Sequence, residues 1–230
     1  MRALIFDVDG TLAETEEAHR HAFNDTFDAF GLGWTWDRDL YRELLRVTGG
    51  KERMEAYATQ HLGLDPATIP VAKIHREKTA RYGALIRAGD VPLRPGIGSL
   101  LQDAAANGCR LAVATTTNLP NVDALIEGAM GVPARDVFQV IAAGDMVAAK
   151  KPAPDVYQLA LAGLDLPATA CLAFEDSANG LQSTLGAGLS CLVCPSWYTD
   201  GDDFTGATAR VSTYEDVSTL SALDMMFQPA

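Results

Sequence analysis

Ala3-Leu4-Ile5-Phe6-Asp7-Val8-Asp9-Gly10-Thr11-Leu12 is the stretch that decides the fold of this chain. Four apolar residues run into two aspartates separated by one valine, and a glycine follows. A short apolar run closed by a glycine reads as a buried strand ending in a tight turn. Carboxylates at i and i+2 of such a turn sit at the carboxyl end of a sheet, where open α/β sheets bind ligands. A calcium loop counted from Asp7 needs glycine at its sixth place and glutamate at its twelfth. Those places hold Leu12 and Ala18, which argues against a calcium loop of that kind. No G-x-G-x-x-G follows this strand, which argues against a nicotinamide reductase.

Beyond Leu12 the pattern becomes helical. Ala18, Ala22, Phe23, Phe27 and Phe30 recur at helical spacing over 14–30, and Gly31 and Gly33 stop the run. Further helices are predicted at 37–47, 51–62 and 71–88, the first two around a turn at Thr48-Gly49-Gly50. Residues 16–90 carry no convincing strand and read as a helical insert. Pro92-Leu93-Arg94-Pro95-Gly96 marks the return.

From there strands and helices alternate. Helices are predicted at 96–106, 119–130, 152–163 and 178–187, and strands at 110–115, 138–143, 170–174, 190–194 and 209–212. Apolar strands alternating with helices imply an α/β fold with a parallel sheet covered on both faces.

At 230 residues the chain has room for one sizeable core and a smaller satellite. The net charge of −12 argues against nucleic acid as a partner. That charge is uneven: residues 16–90 hold 11 of the 18 Lys and Arg but 12 of the 30 Asp and Glu. Carboxylate chemistry is therefore expected outside the insert, and anion contacts within it. No apolar run is long enough to span a membrane and no leader pattern is visible, so a cytoplasmic location is expected. The four cysteines do not form a disulfide framework. Cys191 and Cys194, three apart in a strand, face opposite ways and read as buried apolar groups. The sequence names no protein partner.

Four predicted strand-end loops carry polar chemistry: Asp7 with Asp9; Thr115-Thr116-Thr117-Asn118; Lys150-Lys151-Pro152; and Glu175-Asp176-Ser177. In a parallel sheet they converge on one crevice. Four carboxylates there repel one another unless a hard cation such as Mg²⁺ sits among them. Lysine, threonine hydroxyls and loop N–H groups suit phosphate, and together these are the parts of phosphoryl transfer. One aspartate of the pair can attack phosphorus while the other handles protons.

Asp7-x-Asp9-Gly-Thr, Thr115, Lys151-Pro and Glu175-Asp176 resemble, in order, the four motifs of the haloacid dehalogenase-like (HAD) phosphohydrolases. The resemblance spans the chain. It implies a Rossmann-like HAD core domain (1–15 and 91–230) and a small α-helical cap domain for substrate specificity (16–90), as in the β-phosphoglucomutase-like branch. It implies Asp7 as nucleophile, Asp9 as general acid/base, and Thr115 and Lys151 as stabilisers of phosphate and nucleophile. It places Mg²⁺ on Asp7, on the backbone carbonyl of Asp9 and on Asp176, with Glu175 behind them. The true dehalogenases lack the second aspartate, which is present here.

Within that branch, Thr48-Gly49-Gly50-Lys51-Glu52-Arg53-Met54 and Glu175-Asp176-Ser177-Ala178-Asn179-Gly180 are similar to the CbbY family of carbon-fixing organisms. That implies a small phosphorylated sugar as substrate, namely xylulose 1,5-bisphosphate, a Rubisco inhibitor, converted to xylulose 5-phosphate. The residues themselves reach only a phosphorylated small molecule with a second anionic group. A phosphomutase using the same aspartates, and a non-catalytic sugar-phosphate binder, remain open. Substrate contacts are expected from Glu17, His19, Gly50, Lys51, Arg53, His75, Arg76 and Lys78 in the insert and from Thr116 and Asn118 in the core.

Overall fold

The computed structural model describes residues 1–47 and 50–227. The predicted turn at Thr48-Gly49 lies outside the described residues. The chain divides into two compact units, Met1–Thr15 with Gly89–Ala230, and Glu16–Ala88.

The first unit is built on a six-stranded sheet in the order β3-β2-β1-β4-β5-β6. Its strands are β1 (Ala3–Phe6), β2 (Arg110–Ala114), β3 (Val140–Ala142), β4 (Cys171–Glu175), β5 (Ser190–Val193) and β6 (Ala209–Arg210). All neighbours pair in parallel. The opening apolar run is the central strand: Ala3 pairs with Arg110 on one side and with Cys171 on the other. Its four residues are fully buried, as a strand covered on both faces requires. Ala3 and Ile5 face a cluster with Val156, Tyr157, Ala160 and Leu181. Phe6 stacks on Phe174 of β4 at 4.5 Å between ring centroids.

The helices of this unit are α5 (Ile97–Ala106), α6 (Leu119–Met130), α7 (Ala134–Val137), α8 (Asp155–Leu164), α9 (Ala178–Gly186) and α10 (Leu220–Met226). α7 and α10 are absent from the sequence reading, being only 4 and 7 residues long. The predicted strand at 138–143 shrinks to three residues, and the predicted helix at 152–163 begins only at Asp155. Pro152 and Pro154 offer no N–H, so 150–154 stays a loop. The chain leaves and re-enters this unit side by side: Ala13 bridges Leu93, and the Arg94 N–H donates to the Leu12 carbonyl at 2.8 Å.

The second unit holds α1 (Thr15–Ala29), of which only Thr15 belongs to the first, with α2 (Arg38–Leu44), α3 (Gly50–Gln60) and α4 (Val71–Arg87). Its centre is aromatic. Phe23, Phe27, Trp36 and Tyr41 are fully buried, and Trp36 lies 4.7 Å from Phe23 and 4.8 Å from Phe27. Such pairs add about 0.5–1.5 kcal/mol each beyond area burial. Among the described residues no helix is long and apolar enough to cross a membrane.

Candidate active site

Strand β1 delivers Asp7 to the carboxyl edge of the sheet. The Asp7 N–H still donates to the Phe174 carbonyl of β4 at 3.0 Å, so the ladder holds this residue in place. The chain then turns, and the N–H groups of Thr11 and Leu12 close on the Val8 carbonyl. Gly10 has φ +89°, and a Cβ there would lie 2.1 Å from Asp176 Oδ2. Only glycine lets the β1 loop pack directly against that carboxylate. In the same way a Cβ on Gly180 would lie 1.8 Å from Glu175 Oε2.

Lys151 joins the two strand ends. Its Nζ donates to Asp7 Oδ1 at 2.5 Å and to Glu175 Oε1 at 2.6 Å. The loop that carries it is anchored by the Ser183 hydroxyl, which donates to the Ala153 carbonyl at 2.7 Å. Tyr157, one turn into α8, donates to Glu175 Oε1 at 2.6 Å. Burial works against the charge on Lys151, but Asp7 and Glu175 outweigh it and raise its pKa. Burial pushes the Glu175 carboxyl up to about 7 against the pull of Lys151. Glu175 is 1% exposed and faces Lys151 and Tyr157, so it acts by holding the lysine in place.

Asp7, Glu175 and Asp176 each offer an oxygen within 4.8 Å of the others. Three buried carboxylates share one ammonium. Burial, then Asp7 and Glu175, push the Asp176 carboxyl well above its ordinary range, and bonds from Ser196 and Thr199 oppose the rise. An all-oxygen donor set with negative charge left over fits a hard divalent cation such as Mg²⁺.

Thr115, at the end of β2, is fully buried, and its Oγ1 accepts from the Thr117 N–H at 3.1 Å. Asp9 is half-buried, and its Oδ1 accepts from the Thr15 hydroxyl at 2.7 Å. Thr116 and Asn118 are exposed, and the Asn118 side chain caps α6 by accepting from the Asn121 N–H. The amide oxygen of Asn118 is thus engaged by its own helix.

The helical unit gathers four of the expected contact residues around one buried lysine. Lys78 is 5% exposed, and its Nζ donates to His19 Nδ1 at 2.5 Å. The ammonium also faces the rings of Phe23 and Tyr82 at 4.5 and 5.1 Å. His19 stacks on Tyr82 at 3.7 Å. Burial, then the charge on Lys78, hold the His19 pKa well below its ordinary value, and the same two causes lower His75. Gly50 packs on His75, whose Nε2 lies 2.8 Å from where a glycine Cβ would be. Lys51 is exposed, close enough to lower the His75 pKa.

Three expected contacts are placed otherwise. Arg53 donates to the carbonyls of Leu44 and Val47 and to the Tyr41 hydroxyl, tying α3 to the end of α2. Glu17 is bound by Arg20, His21 and Arg38. Arg76 is exposed, two residues before Lys78 and therefore about 200° around α4 from it. Its neighbourhood in sequence does not survive as neighbourhood on the helix.

Sequence reasoning missed Tyr157, Ser196, Thr199 and Arg94. A tyrosine on the buried face of a helix needs a partner for its hydroxyl, which is a signal for Tyr157. The other three reach the site over long separations with no local pattern. Cys109, Cys171, Cys191 and Cys194 are buried free thiols.

A family model of haloacid dehalogenase-like hydrolases matches residues 1–188. Protein CbbY of Cereibacter sphaeroides is 54% identical over 225 residues, covering 98% of this chain and 97% of that protein. The crystal structure of CbbY from Rhodobacter sphaeroides in complex with phosphate superimposes with a TM-score of 0.85 at 55% identity, covering 97% of this chain and 99% of that one. An aspartate-to-asparagine mutant of that CbbY, in complex with xylulose-(1,5)bisphosphate, gives 0.84 at 54% identity over 97% and 99%.

Proposed function

The chain belongs to the haloacid dehalogenase-like hydrolases, and on that premise we propose that it is an Mg²⁺-dependent sugar-bisphosphate phosphatase acting through an aspartyl-phosphate. It is a hydrolase of phosphoric monoesters, with relatives named as phosphatases. The observation that carries the proposal is the position of Asp7: a buried carboxylate fixed at 2.5 Å by Lys151, beside Glu175 and Asp176.

In this reading Asp7 attacks phosphorus, and the bond from phosphorus to the sugar oxygen breaks. Asp9, as the acid, gives its proton to that oxygen. Water then attacks the phosphoryl group, Asp9 takes back a proton, and phosphate leaves Asp7. Asp9 suits proton transfer because its Oδ1 is oriented by the Thr15 hydroxyl while the residue keeps partial solvent access. Lys151 holds Asp7 in line, and Thr115 supports the phosphate-side loop. Asp7 and Asp176 with the Asp9 carbonyl are the proposed Mg²⁺ ligands. The ion, when bound, neutralises charge developing on the phosphoryl oxygens.

For the substrate we take xylulose 1,5-bisphosphate, the ligand of the CbbY complex, with xylulose 5-phosphate as product. His19, Gly50, Lys51, His75 and Lys78 of the helical unit, with Thr116 of the core, are the residues proposed to select it. Arg53 contributes charge and rigidity rather than a free guanidinium. The test measures free phosphate and isomerised sugar phosphate over a panel of pentulose and hexose mono- and bisphosphates. Highest kcat/KM on the pentulose bisphosphate, with phosphate released one-for-one and Mg²⁺ required, is the expected result. Isomerised sugar phosphate in place of free phosphate makes the protein a phosphomutase instead. Asp7→Asn is expected to remove turnover while leaving the far-UV spectrum unchanged, and an active Asp7→Asn protein refutes the mechanism.

A further inference from the structure

The segment after β5, residues 194–202, is fastened at both ends to the strand-end loops. At its start, the Arg94 guanidinium donates to the carbonyls of Cys194 at 2.8 Å and Pro195 at 2.9 Å. The same guanidinium donates to the Gly10 carbonyl in the β1 loop. One side chain therefore ties the β1 loop to the β5 loop. At the far end, Asp202 Oδ2 accepts from the Ala178 N–H, the first residue of α9, at 2.9 Å.

Between these fastenings lies a pair of hydroxyls. The Ser196 N–H donates to Thr199 Oγ1 at 3.0 Å, and the Thr199 N–H returns to the Ser196 carbonyl at 3.2 Å. The two hydroxyl oxygens are 2.9 Å apart. Thr199 Oγ1 then donates to Asp176 Oδ2 at 3.1 Å. A hydroxyl has one proton, and an acceptor lone pair on Thr199 is taken by the Ser196 N–H. The Thr199 hydroxyl reaches Asp176 Oδ2 at 3.1 Å, closer than the Ser196 carbonyl at 3.5 Å. Asp176 is 4% exposed and Ser196 3%, so the arrangement is not a chance surface contact.

We propose that Thr199, set by Ser196, is the positioning residue that orients the Asp176 carboxylate for cation binding. The proposal rests on Asp176 being a cation ligand, as in the function proposed above. The geometry fits a known physical need: an acidic ligand holds a cation well only when its carboxylate is oriented by a partner behind it. Apart from Ser196, which also bonds Asp176, its nearer neighbours do not supply this. Asp7 and Glu175 repel it, and Gly10 offers only space. The hydroxyls come from a loop 23 residues downstream, pinned by Arg94 and Asp202 so that they cannot drift.

The experiment is calorimetric titration of Mg²⁺ into the full-length protein without substrate. Thr199→Val keeps the shape and removes the hydroxyl. It is expected to weaken Mg²⁺ binding about 10–100-fold, the usual cost of losing such a partner. Thr199→Ser is expected to return binding to the wild-type value, which a loop-packing role would not produce. Saturating Mg²⁺ should restore kcat in Thr199→Val. Asp176→Asn, measured alongside, reports whether Asp176 binds the ion at all. Unchanged binding in Thr199→Val, with binding lost in Asp176→Asn, overturns the positioning role and leaves the proposed function standing. Absence of Mg²⁺ binding in the wild type overturns both. If Thr199→Val does not fold, Ser196→Ala is measured in its place, and the same weakening is expected because Asp176 and Thr199 both lose the Ser196 hydroxyl.

Discussion

Two buried lysine side chains stand beside different groups. The Lys151 side chain, in the sheet unit, is 6% exposed and touches two carboxylates at 2.5 and 2.6 Å. Lys78, in the helical unit, is 5% exposed and lies against an imidazole and two aromatic faces. In the first case the two carboxylates hold the ammonium charged, while burial lifts the Glu175 carboxyl to about 7. In the second the burden falls on the imidazole, which is pushed towards its neutral form. Burying a charge is expensive in either place, and the two units meet that cost by different chemistry. The ammonium of the first stays charged around neutral pH, whereas the imidazole of the second responds to weak acid.

The strongest way to break this contrast is to delete the ammonium of the sheet unit. Lys151→Met leaves Asp7 and Glu175 buried without their cation, and removing one partner of such a pair costs about 3–5 kcal/mol. Urea unfolding in the absence of divalent ions measures it. Lys150→Met, at the exposed neighbour, is the control and should change little. Equal losses from the two would erase the distinction.

A smaller effect is expected from Gly10→Ala. The left-handed backbone and the clash with Asp176 Oδ2 together cost about 1–3 kcal/mol. Thermal unfolding reads the stability loss. Mg²⁺ titration should show weaker binding as well, since the carboxylate is the group that must move.

The gentlest test is pH. The folded pKa of His19 lies below its unfolded value, so its contribution to stability is complete above about pH 6.5 and is lost as pH falls towards the folded pKa. The slope in that window is at most about 1.4 kcal/mol per pH unit. An NMR titration of the imidazole gives the midpoint, and His19→Gln should flatten the slope. A midpoint at or above 6.5 would show that Lys78 and burial do not act as described.

The fold was legible because its signals are local. The strands β1, β2 and β4 are short apolar runs closed by polar residues, and the central strand is the opening run itself. The short helices α7 and α10 carry too few turns to show a period. The strand-end acids were legible for the same local reason: Asp7 follows Phe6, and Glu175 and Asp176 follow Phe174. What supports them was not. Tyr157 meets Glu175 across 18 residues, Thr199 meets Asp176 across 23, and Arg94 meets Gly10 across 84. Those meetings are set by sheet order, which no window of sequence contains. Arg53 and Arg76 teach the converse. Both looked like anion contacts by residue type; in the fold Arg53 bonds within its own unit, and Arg76 stands exposed about 200° around its helix from Lys78.

The place of β1 in the sheet also sets a timetable. Residue 3 is among the first made, but its partners Arg110 and Cys171 come far later in the chain. At about 5–20 residues per second on the ribosome, the strand that carries Asp7 waits roughly 10–30 s for its second neighbour. Both of its edges are open until the stretch around residue 110 is made, and one stays open until the stretch around residue 171 follows. The stretch synthesised next is the helical unit, complete by residue 88. The nascent chain thus finishes its aromatic unit before the sheet has its first pair of strands.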